Sequence, residues 1–165
     1  VNALGDQGAK ALLAEKNVWV CLMHMHQTPA TMQKQPLDGE HGWQVLLQSL
    51  RESLAACLKA GIRRDQIIID PGFGFGKTPQ LNWMLIERAS ELRAFGYPLL
   101  LGASRKSSLG LVTGKAVDDR LIASVSVAAI AAAKGYDVIR AHDVAETYEA
   151  CAIAHAIHPF EEKSL

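Results

Sequence analysis

"IIIDPGFGFGKT", residues 67–78, joins an apolar run ending in an acid to a loop of alternating glycines. Consecutive isoleucines have the β-branching and length of a buried strand. The glycines, followed by Lys77 and Thr78, invite reading as a phosphate cradle. A P-loop needs a glycine, four free positions and then Gly-Lys-Ser/Thr, so that backbone N–H groups wrap the phosphates as a helix begins. Gly76, Lys77 and Thr78 meet the second half of that pattern, but Pro71 stands where the first glycine is needed. Proline has no N–H and a fixed φ, so the cradle loses a donor where it should start. The order Gly72, Gly74, Gly76 also fails the dinucleotide fingerprint. What is left is a strand, an acid at its end and a turn-rich loop.

The same unit recurs outward in both directions. "VWVCLM" (18–23), "QIIID" (66–70), "YPLLLG" (97–102) and "YDVIRA" (136–141) are short apolar runs of strand length. Helical stretches separate them: residues 43–61, 80–96 and 118–135 close on Gly61, Gly96 and Gly135, and a last helix follows Asp143 over 144–157. A further helix over 6–16 precedes the first strand. Strand, loop, helix in repetition predicts an α/β fold with a parallel sheet and right-handed crossovers. Residues 1–165 show no linker or repeat and are expected to form a single domain. Two architectures share this pattern, an open doubly wound sheet and a closed βα barrel. A barrel usually needs about 250 residues, so by length only half of one would be present.

Charge and composition narrow the function. Hydrophobic residues make up 49% and charged residues 21%, which suits a packed core, and the 17 basic residues balance the 17 acidic ones. No overall field draws the chain to nucleic acid or to a membrane, so any anion must be bound locally. The alanine-rich run "LIASVSVAAIAAA" is too short to span a bilayer. Cys21, Cys57 and Cys151 are odd in number and sit in apolar stretches, which predicts buried thiols in a reducing compartment, by default the cytoplasm.

In a parallel α/β fold, ligands bind at the carboxyl ends of the strands. Those ends read "MHMHQTP", Asp70, "GASRKS" and "RAHD". Asp70 is either a turn-starting aspartate before proline or a rim carboxylate that accepts paired N–H groups from a heterocycle. Ser104, Arg105 and Lys106 follow Gly102, whose missing side chain would admit a ligand close to the backbone. Arg140 and His142 alternate, so both are expected to point the same way as a claw for an anion. Together the last two strand ends supply Ser104, Arg105, Lys106, Arg140 and His142, a set suited to phosphate. Lys77 is expected to be a solvated loop lysine that at most assists. His24 and His26 leave open a His-x-His metal site and hence a metal-dependent hydrolase.

Four segments, "CLMHMHQTPATMQ", "IIIDPGFGFGKT", "LLLGASRKSSLG" and "IRAHDV", stand in an order and spacing that resemble the dihydropteroate synthase family of pterin-binding barrels. The resemblance covers nearly the whole chain. It implies an eight-stranded βα barrel, of which this chain would supply the last four strands. It also implies a reaction in folate biosynthesis in which p-aminobenzoate displaces diphosphate from 7,8-dihydropterin-6-ylmethyl diphosphate. By the same resemblance the catalytic residues would be Asp70, gripping the pterin edge, Lys106, bonding the ring, and Arg140 and His142, holding the departing diphosphate. Substrate contacts would come from Asn2, Met23, Gly74, Phe75, Gly102, Ser104 and Arg105.

The resemblance further implies magnesium, with its ligands in the missing N-terminal half and none in this chain. It implies a homodimer through the late helices, and the same class is the sulfonamide target. Ala3 stands where an aspartate is usual, and His26-Gln27 where Gln-Gly is usual. The loops that bind metal-diphosphate and close over aminobenzoate belong to the absent strands. Half a barrel leaves open sheet edges and an exposed apolar interior, so the chain is expected to need an N-terminal half, or a second copy, to work. Other readings are a pterin barrel transferring a methyl group from a methylated folate, and a non-catalytic half-barrel partner.

Overall fold

A computed structural model describes residues 8–157; Asn2 and Ala3 lie outside them. The strands are β1 (Val20–Met23), β2 (Ile67–Asp70), β3 (Leu100–Leu101) and β4 (Val138–Ile139). They lie within the four predicted runs and are shorter. The helices are α1 (Ala9–Glu15), α2 (Gly39–Lys59), α3 (Pro79–Glu87), α4 (Ala89–Arg93), α5 (Ser107–Thr113), α6 (Leu121–Ala133) and α7 (Val144–Ile157). Short 3-10 turns at Arg64–Gln66 and Val117–Asp119 lead into β2 and α6. Two expectations change. The single helix over 80–96 is broken at Arg88, which leaves helical geometry at ψ 29°, and α5 is a helix where none was expected.

Strand order decides between the two architectures. β1 pairs in parallel with β2, from Val20 opposite Ile67 to Met23 opposite Asp70. A parallel bridge between Ile69 and Leu99 carries β2 to the third run, and Leu100 and Leu101 pair with Val138 and Ile139 of β4. Spatial order therefore follows chain order, 1-2-3-4, with no reversal of the kind that defines a doubly wound sheet. The sheet is an arc of a βα barrel.

Alternation along the strands sorts the two faces. Val20, Leu22, Ile67, Ile69, Leu99 and Leu101 are buried under the helices, while Cys21, Ile68, Leu100 and Val138 face the other way and are partly or fully exposed. Cys21 is thus not the buried thiol expected: it sits on the concave face. Cys57 is buried and Cys151 is intermediate. α2 buries Trp43, Leu46, Leu47, Leu50, Leu54 and Cys57, the three-and-four spacing of one helix stripe. It ends where Gly61, at φ 91°, lets Ile62 N–H reach back to Cys57 O at 3.2 Å. Gly135, at φ 96°, ends α6 in the same way, with Tyr136 N–H on Ala131 O at 3.0 Å. Among the described residues no helix is long and apolar enough to cross a membrane.

Candidate active site

The carboxyl ends of all four strands meet at one rim, where Asp70 is buried, with a side chain only 3% exposed. Its Oδ1 accepts the Gly72 N–H at 2.8 Å, and its Oδ2 lies 3.5 Å from Arg140 Nη2. One oxygen is therefore tied to the loop, while the other faces the mouth with a single long contact. Burial raises the Asp70 pKa above the usual carboxylate range, against the lowering pull of Gly72 N–H, Arg140, Lys106 and Lys77. A desolvated carboxylate in this setting gains most from ligand N–H donors.

The loop after β2 is held from several sides. Gly72 takes φ 74°, and a Cβ there would lie 1.8 Å from His24 O. Only glycine fits both that conformation and that approach. Gly74 N–H is received by Asn82 Oδ1 at 2.7 Å, and Asn82 Nδ2 donates to Ser108 Oγ at 3.1 Å, so α3 and α5 brace the loop together. Gln33 Nε2 donates to Gly74 O at 3.2 Å. Thr78 caps α3, its Oγ1 accepting Leu81 N–H at 3.2 Å ahead of Pro79.

Lys77 overturns the reading of a solvated loop lysine. It is 3% exposed, and its Nζ donates to His24 Nδ1 at 2.9 Å, Gly72 O at 2.9 Å and Phe75 O at 3.0 Å. Burial lowers Lys77 to about 7, with Asp70 pulling the other way and Lys106 adding to the drop. His24 is lowered to about 3 by burial and then by Lys77 and His26. The neutral imidazole offers its Nδ1 lone pair to the ammonium. His24 is thereby committed to Lys77, and among the described residues no three His, Cys, Asp or Glu side chains gather as a cation site.

Across the mouth, Lys106 reaches over Gly74, where a Cβ would meet its Cδ at 2.9 Å. Its Nζ donates to Phe73 O and lies 4.0 Å from the Phe75 ring centroid. Burial, partly offset by Asp70 and reinforced by Arg140, lowers it to about 8. Gly102 does leave space beside the backbone, but the Arg140 guanidinium fills it: a Cβ there would lie 2.5 Å from Nη2. β4 ends at Ile139, so Arg140 and His142 lie beyond the strand and have different partners. Arg140, with a 60% exposed side chain, turns toward Asp70. His142 Nδ1 is 2.9 Å from Ser104 Oγ, which also accepts His142 N–H at 3.3 Å.

Arg105 is engaged by Asp143, with contacts of 2.7 and 3.2 Å, and adopts φ 58°, so it ties the loop after β3 to the start of α7. Met23 is buried at the end of β1, directly opposite Asp70. The roles of Lys77, Asn82 and Gln33 depend on which loops meet, so nothing local in the sequence marks them.

The arc and its rim define a βα-barrel protein with a small-molecule site lined by one buried carboxylate and several cationic groups. The chain belongs to the pterin binding enzyme family, whose pattern matches residues 1–142. Dihydropteroate synthase of Escherichia coli (strain K12) is 40% identical over 156 residues, 94% of this chain and 55% of that protein. Its counterpart in Haemophilus influenzae is 42% identical over 147 residues, 89% and 53% of the two chains. The crystal structure of Yersinia pestis dihydropteroate synthase with a sulfonamide drug superposes with a TM-score of 0.90 at 39% identity, over 95% of this chain and 57% of that one. The Stenotrophomonas maltophilia enzyme also gives 0.90, at 37% identity, over 96% and 60%. The chain spans little more than half the length of these curated relatives.

Proposed function

We propose that this chain supplies the last four strands of a dihydropteroate synthase, the transferase that joins p-aminobenzoate to 7,8-dihydropterin-6-ylmethyl diphosphate. The observation that carries the reading is the meeting of Asp70 and Arg140, 70 residues apart in sequence, at 3.5 Å on the rim. A carboxylate for the N–H edge of a ring and a cation for an anionic tail thus border one opening, in a chain of the pterin-binding family.

The chemistry follows from charge. The bond from the pterin methylene to diphosphate breaks with its electron pair on the leaving oxygen, and the amine nitrogen of p-aminobenzoate bonds the methylene carbon and loses a proton. Arg140 and His142 stabilise the departing anion, and Asp70 and Lys106 hold the ring, so that positioning and electrostatics supply the acceleration. Ser104, bonded to His142, borders the aminobenzoate side. Magnesium is expected by resemblance. By the same resemblance its ligands would come from the N-terminal half.

The exposed concave face with Cys21 is where that half would close the barrel. Exposed apolar side chains on α6 and α7, among them Ile122 and Tyr148, suit a second copy in a homodimer. The free thiols fit the cytoplasm.

The test is complementation. The isolated chain should show little or no synthase turnover, and an N-terminal half added in cis or in trans should restore it; strong turnover by the chain alone refutes the need for a partner half. Titrating pterin diphosphate against a methylated folate separates this reading from a methyl transferase, since only the first has a use for Arg140 and His142 as an anion site.

A further inference from the structure

We propose that Lys77 is a positioning residue for the ring end of the site, its one ammonium fixing the backbone that aims Asp70 and carries Phe75. The inference rests on the pterin site just described. Each of the three protons of the ammonium has an acceptor: His24 Nδ1, Gly72 O and Phe75 O. The Gly72 carbonyl belongs to the residue whose own N–H holds Asp70 Oδ1 at 2.8 Å. The Phe75 carbonyl belongs to the residue whose ring lies under Lys106 Nζ at 4.0 Å. Lys77 therefore reaches both walls of the opening through one backbone link each, without lining the opening itself.

Of the three acceptors, His24, just after β1, makes a second tie. His24 N–H donates to Asp70 O at 2.9 Å, while its ring receives Lys77, so this residue joins the loop after β1 to both ends of the acid's loop. Gly72 packs against the His24 carbonyl so closely that no side chain fits. The loop between Asp70 and Lys77 is thereby held as a bound cation would hold it, by convergence of carbonyl oxygens on a single charge. A buried lysine is costly to place, and few other features of this site explain its presence. The titratable groups that face it are the neutral His24 from the loop after β1, Asp70 from β2 and Lys106 from the loop after β3.

The experiment uses the barrel assembled with its N-terminal half, titrated with 7,8-dihydropterin-6-ylmethyl diphosphate and assayed for turnover. Lys77→Met should weaken pterin binding at least tenfold and raise the pterin KM while leaving the KM for p-aminobenzoate within about twofold. His24→Leu, which keeps the lysine but removes its ring partner, should do the same. His24→Asn should recover most of the loss, because the Asn Oδ1 takes the place of the imidazole Nδ1 on the same Cγ. Amide exchange at residues 72–76 should quicken in the two weak binders and not in the third. If wild type binds no pterin, the functional reading falls and this inference falls with it. If wild type binds and all variants bind equally well, or His24→Asn is as poor as His24→Leu, the positioning role of Lys77 alone is overturned.

Discussion

The loop after β2 and the end of β4 share one rim but are built in opposite ways. Between Asp70 and Thr78 the loop is mostly buried, braced by Lys77, Asn82 and Gln33, and glycine-dependent at Gly72. Beyond β4, Arg140 is largely exposed, and its contact with Asp70 is at the limit of hydrogen-bond length. The first region is held by internal hydrogen bonds; the second carries an exposed cation. A flat ring benefits from a preformed slot, since ordering is completed at folding and not at binding. In the function proposed above, a departing anion would be better served by an exposed cation that releases it.

The difference can be broken at several strengths. Acid should strike the buried side hardest. His24 is neutral in the fold down to about 3, whereas in the unfolded chain it takes a proton below about 6.5. The unfolded state therefore binds more protons across that window, and stability falls as pH drops from 6.5 toward 3. The His24 contribution to the loss is on the order of 5 kcal/mol at the low end, offset in part by Asp70, whose raised pKa favours the fold in acid; urea unfolding at stepped pH checks it, and His24→Asn should flatten it. Gly72→Ala should cost about 3 kcal/mol or more, since it combines a strained φ with a clash on His24 O; denaturant unfolding reads this directly, and a change below the error of the method would show the loop to be adaptable.

Smaller effects belong to ligand binding by the assembled barrel. Asp70→Asn replaces an acceptor with a donor and should weaken pterin binding roughly a hundredfold, the size expected for charge-assisted hydrogen bonds, as measured by calorimetry. Arg140→Ala should cost about tenfold for the pterin diphosphate and almost nothing for the pterin without its diphosphate, since an exposed ion contact is screened. Equal losses for both ligands would mean that Arg140 belongs to the ring side and that the two regions are not distinct.

Much of this was legible before folding was considered. The strand runs, the glycine stops of α2 and α6, and the polar residues at strand ends follow from local chemistry. The four motifs carried the family. The misplaced features share one cause. Arg88 breaks a helix whose apolar spacing runs on past it. Cys21 has the neighbours of a core residue, yet its face of the arc is uncovered. Arg105, expected among the substrate contacts, is engaged by Asp143 once α7 lies beside it.

The sequence by itself determined the repeated strand-loop-helix unit, the acid at the end of β2, the cationic ends of β3 and β4, and the kinship with pterin-binding enzymes, because these depend on residues close together in the chain. Only the tertiary structure decided that the strands follow one another in order around an arc, and that Lys77 is buried on His24, 53 positions away. Whether a charge is solvated or clasped depends on which distant loops close over it, and local sequence does not contain that information.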